Sequence, residues 1–192
     1  SAANQCGANV DWLPPTATDP CDNSPIVPQS NFQPGDFYPV GTTIVTYLAT
    51  ASGGATSTCS FSVTVTDNTA PTWSNCPGFV TLTLGPGKCD TAYFWQAPMP
   101  LDNCEIDTSF SNLSPGATLG VGPNTITYVA RDDSGNEGSC IFNILVIDTT
   151  PPVFVSCPAD TVLSVPGNCE AIYDWVLPDA IDNCGVEEIT PT

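Results

Sequence analysis

The sequence predicts an all-β chain built from tandem, disulfide-stapled β-sandwich repeats of about 80 residues. Three observations lead to this class. Cysteines and tryptophans recur at a fixed period, residues that favour strands and turns are abundant, and no stretch carries the 3.6-residue apolar periodicity of a convincing helix. The 192 residues include 20 Pro, 15 Gly and 10 Cys, and 41% are hydrophobic. That composition favours short strands and turns around packed cores.

The repeat shows in the spacing of cysteines and tryptophans. Two sets of three cysteines are each spaced by 83 and 80 residues, and two further pairs by 81. The members are Cys6, Cys89 and Cys169; Cys21, Cys104 and Cys184; Cys59 and Cys140; Cys76 and Cys157. A tryptophan follows each member of the first set by six residues. We therefore expect a repeat lacking its first strand at 1–70, a complete repeat at 71–150, and the first part of a third at 151–192.

The complete repeat alternates strand and turn signals. The predicted strands are, in order, 79–84, 92–95, 106–111, 125–130 and 140–147. Gly- and Pro-containing turns separate them, and Pro98 and Pro100 end the second strand. The last two strands have counterparts at 43–49 and 58–67 in the first repeat. Roughly six or seven short strands with regular turns in this length indicate an immunoglobulin-like sandwich.

Charge excludes several classes of function. The chain has 20 acidic residues, two basic ones (Lys88 and Arg131) and a formal net charge of −18. Nothing in it replaces the counterions of a phosphate backbone, so we expect no nucleic-acid binding, and anionic membranes are poor partners. With no histidine and no nucleophile beside a base, we expect no enzyme and no zinc site. No apolar run approaches the ~18 residues of a membrane span.

The ten cysteines also bear on the compartment. They predict a disulfide framework and therefore an oxidising environment, so we expect a secreted or cell-surface protein. No signal peptide begins the sequence, which we interpret as mature or excised material from an exported protein.

Several ordered motifs resemble the hyalin repeat (HYR) domain family. They are Cys76-Pro77, Asp102-Asn103-Cys104, Val40-Gly41-Thr42-Thr43 followed by Val45-Thr46-Tyr47, Asp132-x-Ser134-Gly135-Asn136, and Cys140-x-Phe142-x-Ile144. The resemblance covers nearly all of the chain. It implies an immunoglobulin-like module found in extracellular and cell-surface proteins, associated with adhesion and without catalytic residues to transfer. The first repeat departs from the motif, because 51–55 lacks the acidic turn.

The resemblance also bears on the disulfides. Four cysteines in one repeat allow three pairings. Parallel first and last strands favour Cys76–Cys140, and proteins resembling this family with only two cysteines keep those positions. The remaining expected pairs are Cys89–Cys104, Cys6–Cys21 and Cys169–Cys184. Cys76–Cys104 with Cys89–Cys140 stays open as an alternative.

This scheme leaves Cys59 and Cys157 without a partner. Either a neighbouring repeat of a longer chain completes each of them, or Cys157 of one subunit pairs with Cys59 of the next. The second arrangement joins subunits head to tail by strand donation.

Recurring Asp-Asn pairs and the acidic turn offer oxygen ligands for Ca²⁺. The candidate ligands are Asp102, Asn103, Asp132, Asp133 and Asn136. The alternative is that these side chains only form turns by hydrogen bonding to the backbone. Asp67 and Asp148 lie at repeat junctions, where an ion would stiffen the string. No other cofactor is expected.

The aromatic and hydroxyl residues suggest further sites. Trp12, Trp95 and Trp175 either stack on sugars or pack in the core, and their fixed places beside alternating strands favour the core. Asn112 begins the sequon Asn-Leu-Ser. Asp-Thr-x runs make Thr91, Thr149 and Thr161 candidate O-glycosylation sites.

These observations predict a non-enzymatic extracellular structural or adhesive repeat protein. It would form a stalk, a surface layer or a filament of subunits joined head to tail. The expected partners are copies of itself, neighbouring repeats of one long chain, and surface glycans. The alternative is an accessory module of a larger exported protein that binds a ligand such as carbohydrate.

Overall fold

The computed structural model describes residues 5–164, 167 and 170–190, and all the regular structure in them is β-strand. These residues contain no helix, and hence none long and apolar enough to cross a membrane. The all-β fold class predicted from the sequence is confirmed. The repeat boundaries at 70 and 150 stay a prediction.

Seventeen strands occur in the described residues. The first predicted repeat contains β1 (Gly7–Asn9), β2 (Ala17–Thr18), β3 (Pro25–Ile26), β4 (Gln29–Ser30), β5 (Phe37–Pro39), β6 (Gly41–Thr50) and β7 (Thr56–Val65). The second contains β8 (Thr72–Ser74), β9 (Val80–Thr83), β10 (Asp90–Ala92), β11 (Met99–Leu101), β12 (Ile106–Ser111), β13 (Thr118–Gly120), β14 (Gly122–Asp132) and β15 (Glu137–Ile147). The third contains β16 (Val153–Ser156) and β17 (Asp179–Ile181).

The chain forms two compact units, and each unit combines segments of successive repeats. Unit 1 comprises Ser1–Cys76, Pro98–Ser111 and Tyr128–Cys140. Unit 2 comprises Pro77–Ala97, Asn112–Thr127 and Ile141–Thr192.

The hairpin of β6 and β7 organises the first repeat, within unit 1. The two strands pair antiparallel over their full length, and β4 pairs with the other edge of β6. Burial alternates along the central part of both strands, so one apolar face of the hairpin lies against the core. The apolar face contributes to a buried cluster, which contains Tyr38, Val45, Tyr47, Val63 and Val65.

Unit 1 also contains the start of the complete repeat. There β8 pairs antiparallel with β11, whose central residue is Pro100. The sequence did not predict either strand, because three residues are too few to show alternation and proline usually ends a strand. Proline is tolerated because β11 pairs with β8 alone in the described sheets, which makes it an edge strand. In the same unit β12 pairs with β14, at the predicted bounds 106–111.

Unit 2 contains the closing edge of the complete repeat. There β9 pairs with β15 in parallel, with Val80 opposite Ile144. This pairing confirms that the first and last strands of the repeat run side by side. The strand predicted at 92–95 is wrong in position, because β10 ends at Ala92. Beyond it, Tyr93 bonds to the 114–117 turn, accepting from Gly116 N at 2.8 Å, and Trp95 is buried outside any strand.

The alternation along β15 gives a matched pair of substitutions. Ile144 is fully buried, whereas Ile141 on the other face is 57% exposed. We expect Ile144→Ala to lower the free energy of unfolding by about 2–5 kcal/mol, because it removes buried methyl groups and leaves a cavity. We expect Ile141→Ala to change it by less than about 0.5 kcal/mol. Denaturant melts of both variants measure the difference, and equal losses would show that β15 is not oriented as described.

Candidate functional site

Sulfur and acidic side chains gather at the ends of the first two repeats, where one repeat leads into the next. We call Cys6, Asp67, Asp102, Asn103 and Cys104 the first junction, which lies in unit 1. The second junction lies in unit 2 and consists of Cys89, Asp148, Asp182, Asn183 and Cys184. The two sets occupy the same positions of the repeat, one period apart.

Two disulfides are present among the described residues. Cys76 and Cys140 are joined within the complete repeat, with their Cα atoms 5.8 Å apart. Cys6 and Cys104 are joined with Cα atoms 4.6 Å apart, across 98 residues of sequence. Cys6 belongs to the first predicted repeat and Cys104 to the second. The second disulfide is therefore a staple between successive repeats.

The structure corrects the expected pairing of four cysteines. Cys6 is joined to Cys104, so the pairs Cys6–Cys21 and Cys89–Cys104 do not form. The expectation assumed that the proline-rich segment after the second strand returns to its start. It instead leaves unit 2 at Ala97, enters unit 1 at Pro98 and pairs there with β8, which carries Cys104 to the first junction. The expected Cys169–Cys184 pair includes Cys169, which lies outside the described residues.

Buried carboxylates of the first junction are held by amide groups. Asp67 is only 4% exposed. Its Oδ1 accepts hydrogen bonds from the backbone N of Thr69 at 3.1 Å and from Asn103 Nδ2 at 3.3 Å. Asp102 Oδ1 accepts from the backbone N of Cys104 at 2.9 Å, which shapes the turn that presents this cysteine. The carboxylates therefore order the junction without a cationic side chain among these contacts.

The acidic turn, 132–136, joins the same site through Asn136. Asp132 is 1% exposed, and both of its oxygens accept from Asn136, Oδ1 from the backbone N and Oδ2 from Nδ2, each at 2.8 Å. Asn136 Nδ2 also donates to the backbone O of Asp67 at 3.1 Å. The neighbouring Asp133 is exposed and is not among these contacts.

The second junction repeats this arrangement with free thiols. Asn183 Nδ2 donates to Asp148 Oδ2 at 3.0 Å, and Asp182 Oδ1 accepts from the backbone N of Cys184 at 2.8 Å. The Cys184 thiol and the backbone N of Thr150 lower the pKa of Asp148 by hydrogen bonding to its carboxylate. Burial raises the pKa of the Cys184 thiol, and the hydrogen bonds with Asp148 and Cys89 raise it further.

A family model described as the HYR domain matches residues 2–65 and again 66–146. The chain belongs to the HYR domain family. The resemblance seen in its motifs is thereby confirmed, and the two junctions are features of successive HYR repeats.

Two curated relatives are hyalins. The hyalin of Strongylocentrotus purpuratus is 36% identical over 191 residues, and that of Lytechinus variegatus is 34% identical over 189 residues. The alignments cover 94% and 95% of this chain but 16% and 35% of those proteins, so the chain spans a minor part of their length.

Solved structures of protocadherin extracellular domains give weaker matches. PcdhgB3 EC1-4 has a TM-score of 0.33 and 14% identity over 81% of this chain and 49% of that one. Protocadherin gamma B7 cadherin domains 1-4 have a TM-score of 0.30 and 19% identity over 78% of this chain and 46% of that one. Similarity at these TM-scores supports no conclusion about this chain.

The HYR repeats bring together four of the five candidate calcium ligands. Asp102 and Asn103 lie at the first junction, Asp132 and Asn136 reach it through Asp67, and Asp133 stays apart. The carboxylate oxygens of Asp67 and Asp102 and the sulfur of Cys104 lie within 4.8 Å of one another, as do those of Asp148, Asp182 and Cys184. Ca²⁺ prefers oxygen ligands, so only the carboxylates in each cluster suit it.

Three of the four tryptophans pack against neighbouring rings. Trp12 packs on the core cluster of the first HYR repeat and donates from Nε1 to Tyr47 Oη at 2.8 Å. Trp95 is buried and meets Phe142 edge-on at 5.9 Å between ring centroids, and Trp73 meets Tyr128 at 5.7 Å. Trp175, the counterpart of Trp95, is 60% exposed.

The candidate glycosylation sites differ in setting. Asn112 is exposed, but its side chain continues the sheet: Nδ2 donates to Thr125 O at 2.9 Å and Oδ1 accepts from Thr127 N at 2.8 Å. Asn31, one period earlier and outside any sequon, makes the same two kinds of bond with β6. A structural role therefore accounts for Asn112, and glycosylation there stays a prediction. Thr149 and Thr161 are exposed, and Thr91 is half-buried.

The acidic turn provides a test of the hydrogen-bond network. Asp132→Asn places an NH₂ group against donors of Asn136, so a buried hydrogen bond is lost and a donor is left unsatisfied. We expect a loss of about 1–3 kcal/mol in the free energy of unfolding. Asp133→Asn, one residue away and exposed, is the matched control and should change it by less than about 0.5 kcal/mol. Chemical denaturation measures both, and a neutral Asp132→Asn would contradict the network.

Proposed function

We propose that this chain is part of an extracellular, non-enzymatic adhesive repeat protein that serves as a stalk, surface layer or filament. The observation that carries the proposal is the staple between Cys6 and Cys104, which joins successive HYR repeats covalently. A protein that only presents a binding site needs no such bond. A protein that bears load along its length gains from one, because the chain then cannot extend freely between the two repeats.

The energetics support a mechanical role. Closing a loop of 98 residues restricts the unfolded chain by about 4–5 kcal/mol in the chain-entropy model. A domain of about 80 residues has a small core, so a gain of this size is a large part of its stability. The net charge of −18 keeps such an array solvated and discourages random aggregation.

The partner in assembly is a second copy of this chain, or an equivalent HYR repeat. In the complete repeat, β15 lies between β14 and β9. Its counterpart β7 pairs with β6 alone in the described part of the chain. The counterpart of β9 is 161–164, where Val162 is 92% exposed and no strand is formed. Added to the open edge of β7, this segment would bring Cys157 beside Cys59, as Cys76 lies beside Cys140.

Isotope mixing tests this strand donation. Heavy and light chains are reduced, mixed and reoxidised with glutathione disulfide, then cleaved before aspartate without reduction. We expect peptides 36–66 and 148–159, which contain Cys59 and Cys157, to be recovered as heavy–light hybrids. The Cys76–Cys140 peptides should stay uniformly heavy or uniformly light, because that bond forms within one chain.

The same sample gives the contradicting outcome. A non-reduced mass of one chain, 20.0 kDa, with both Cys59 and Cys157 open to alkylation would remove strand donation. Electron microscopy of non-reduced material then tests the wider proposal. Linear arrays support a stalk or filament, whereas isolated beads that bind glycan would favour the accessory module.

The tryptophans argue against carbohydrate binding as the main role. Trp12 and Trp95 are engaged in packing. Trp175 is exposed, yet it stands at the position where Trp95 is buried. Its exposed ring therefore suits a packing partner supplied by another repeat better than a sugar.

Calcium at the junctions is a second part of the proposal. Asp102 Oδ2 and Asp182 Oδ2 are buried atoms that make no hydrogen bond to the described residues. Each faces a second carboxylate in its cluster, Asp67 or Asp148. A divalent cation would balance both charges at each junction and stiffen the string of repeats.

Melting experiments with and without calcium test this part. Ca²⁺ at about 100 times its dissociation constant should stabilise the chain by about 2.7 kcal/mol, and a chelator should reverse the gain. Asp102→Asn should reduce the calcium response, whereas Asp133→Asn should keep it because Asp133 lies outside the cluster. A melting temperature indifferent to both calcium and chelator would count against the site.

A further inference from the structure

We propose that Cys89 and Cys184 form a second disulfide between successive repeats, equivalent to Cys6–Cys104. In the described structure both are thiols, and no bond joins them. Such a bond would change the covalent state of the second junction. It does not depend on the adhesive role proposed above.

The Sγ atoms of Cys89 and Cys184 contact the same residue of the second junction. Asn183 Nδ2 is 2.8 Å from Cys184 Sγ and 3.7 Å from Cys89 Sγ, so a single amide nitrogen contacts both. The Cys89 thiol donates to the backbone O of Asn183. Cys184 Sγ also lies 3.3 Å from the backbone O of Lys88, the residue beside Cys89. The two thiols therefore share contacts with Asn183 at the second junction, and Cys184 also contacts Lys88.

The backbone that holds each sulfur is the same at both junctions. Cys6 O accepts from Val40 N at 3.4 Å, and Cys89 O accepts from Val121 N at 3.3 Å. The other cysteine of each pair is held by the aspartate two residues before it, at 2.9 Å for Cys104 and 2.8 Å for Cys184. At the first junction this backbone arrangement places the sulfurs of Cys6 and Cys104 at bonding distance. We expect the equivalent arrangement at the second junction to do the same for Cys89 and Cys184.

The strands beside the two sulfur pairs are also equivalent. At the first junction β8 pairs antiparallel with β11, which directly precedes the Asp102-Asn103-Cys104 turn. At the second, β16 pairs antiparallel with β17, which directly precedes Asp182-Asn183-Cys184. Each strand pair holds the Asp-Asn-Cys turn of one repeat against the end of the preceding repeat. The second turn therefore reaches Cys89 as the first reaches Cys6.

Bond formation is an oxidation, and a small disulfide such as oxidised glutathione supplies the oxidant. One cysteine thiolate attacks that disulfide, forms a mixed disulfide and releases one thiol. The other thiolate then attacks the protein sulfur of the mixed disulfide and releases the second thiol. Two thiols of the chain are oxidised, one external disulfide is reduced to two thiols, and the two protons pass to the released thiolates.

The same rule assigns the cysteines that remain. Each repeat would pass its first cysteine to the following repeat and receive from the preceding repeat a partner for its second. By position Cys21 would then pair with the first cysteine of another repeat. A tandem array built in this way would be linked at every junction.

A non-reduced peptide map tests the proposal on the unmodified full chain. The chain is oxidised with glutathione disulfide, free thiols are blocked with N-ethylmaleimide, and the product is cleaved before aspartate. We expect peptide 67–89, which contains Cys76 and Cys89, to be linked to both 133–147 and 182–192. A link between 67–89 and 102–106 would instead join Cys104 to Cys76 or Cys89 and so remove the Cys6–Cys104 precedent, and maleimide on both Cys89 and Cys184 would show that no bond forms. Either result overturns the proposal.

A pair of variants provides an independent measurement. Cys184→Ser removes the partner of Cys89, so protection of Cys89 from maleimide should be lost. Cys59→Ser removes an exposed thiol that lies outside the second junction and is the matched control, in which Cys89 should stay protected. If Cys89 is labelled to the same extent in the wild-type chain and in both variants, the proposal fails.

Discussion

The bond between Cys6 and Cys104 is the constraint on which the junction depends. It closes a loop of 98 residues, so the end of one HYR repeat and the Asp102-Asn103-Cys104 turn of the next are held together regardless of the weaker contacts. The noncovalent contacts at the junction are short-range hydrogen bonds. Asn103 reaches Asp67 at 3.3 Å and Asn136 reaches the backbone of Asp67 at 3.1 Å, both from the following repeat. A single covalent link thus organises a site to which two repeats contribute.

The connection between the repeats is also restrained sterically. Pro71 is buried and lies against β15, where a Cβ on Gly138 would stand 1.8 Å from its carbonyl oxygen. Only glycine at that position lets the linker approach so closely. The chain then enters β8, which pairs with β11 instead of running free. A linker that is packed, strand-paired and proline-bearing has few conformations available.

The sequence predicted the period, the class and most long strands, because those features follow from local chemistry. Runs rich in β-branched and aromatic residues predict β6, β7, β14 and β15. It did not predict β8 or β11, since three residues carry no period and Pro100 argues for a strand end. The staple was missed for another reason. In a periodic chain every repeat offers an equivalent second cysteine, so spacing alone does not show whether Cys6 pairs with Cys21 or with Cys104. Only the path of the proline-rich segment decides between them, and that path depends on tertiary pairing.

The charge imbalance explains the chemistry of the junction. With 20 acidic residues and two basic ones, the chain has too few cations to pair its buried carboxylates. Asparagine and backbone amides take that role: Asn136 satisfies both oxygens of Asp132, and Asn103 and Thr69 serve Asp67. Neutral donors satisfy hydrogen bonding but leave the negative charge in place. Such charges repel when repeats are brought end to end, so the array needs attraction from elsewhere. A covalent staple supplies it at any ionic strength, which is why disulfides suit junctions this acidic.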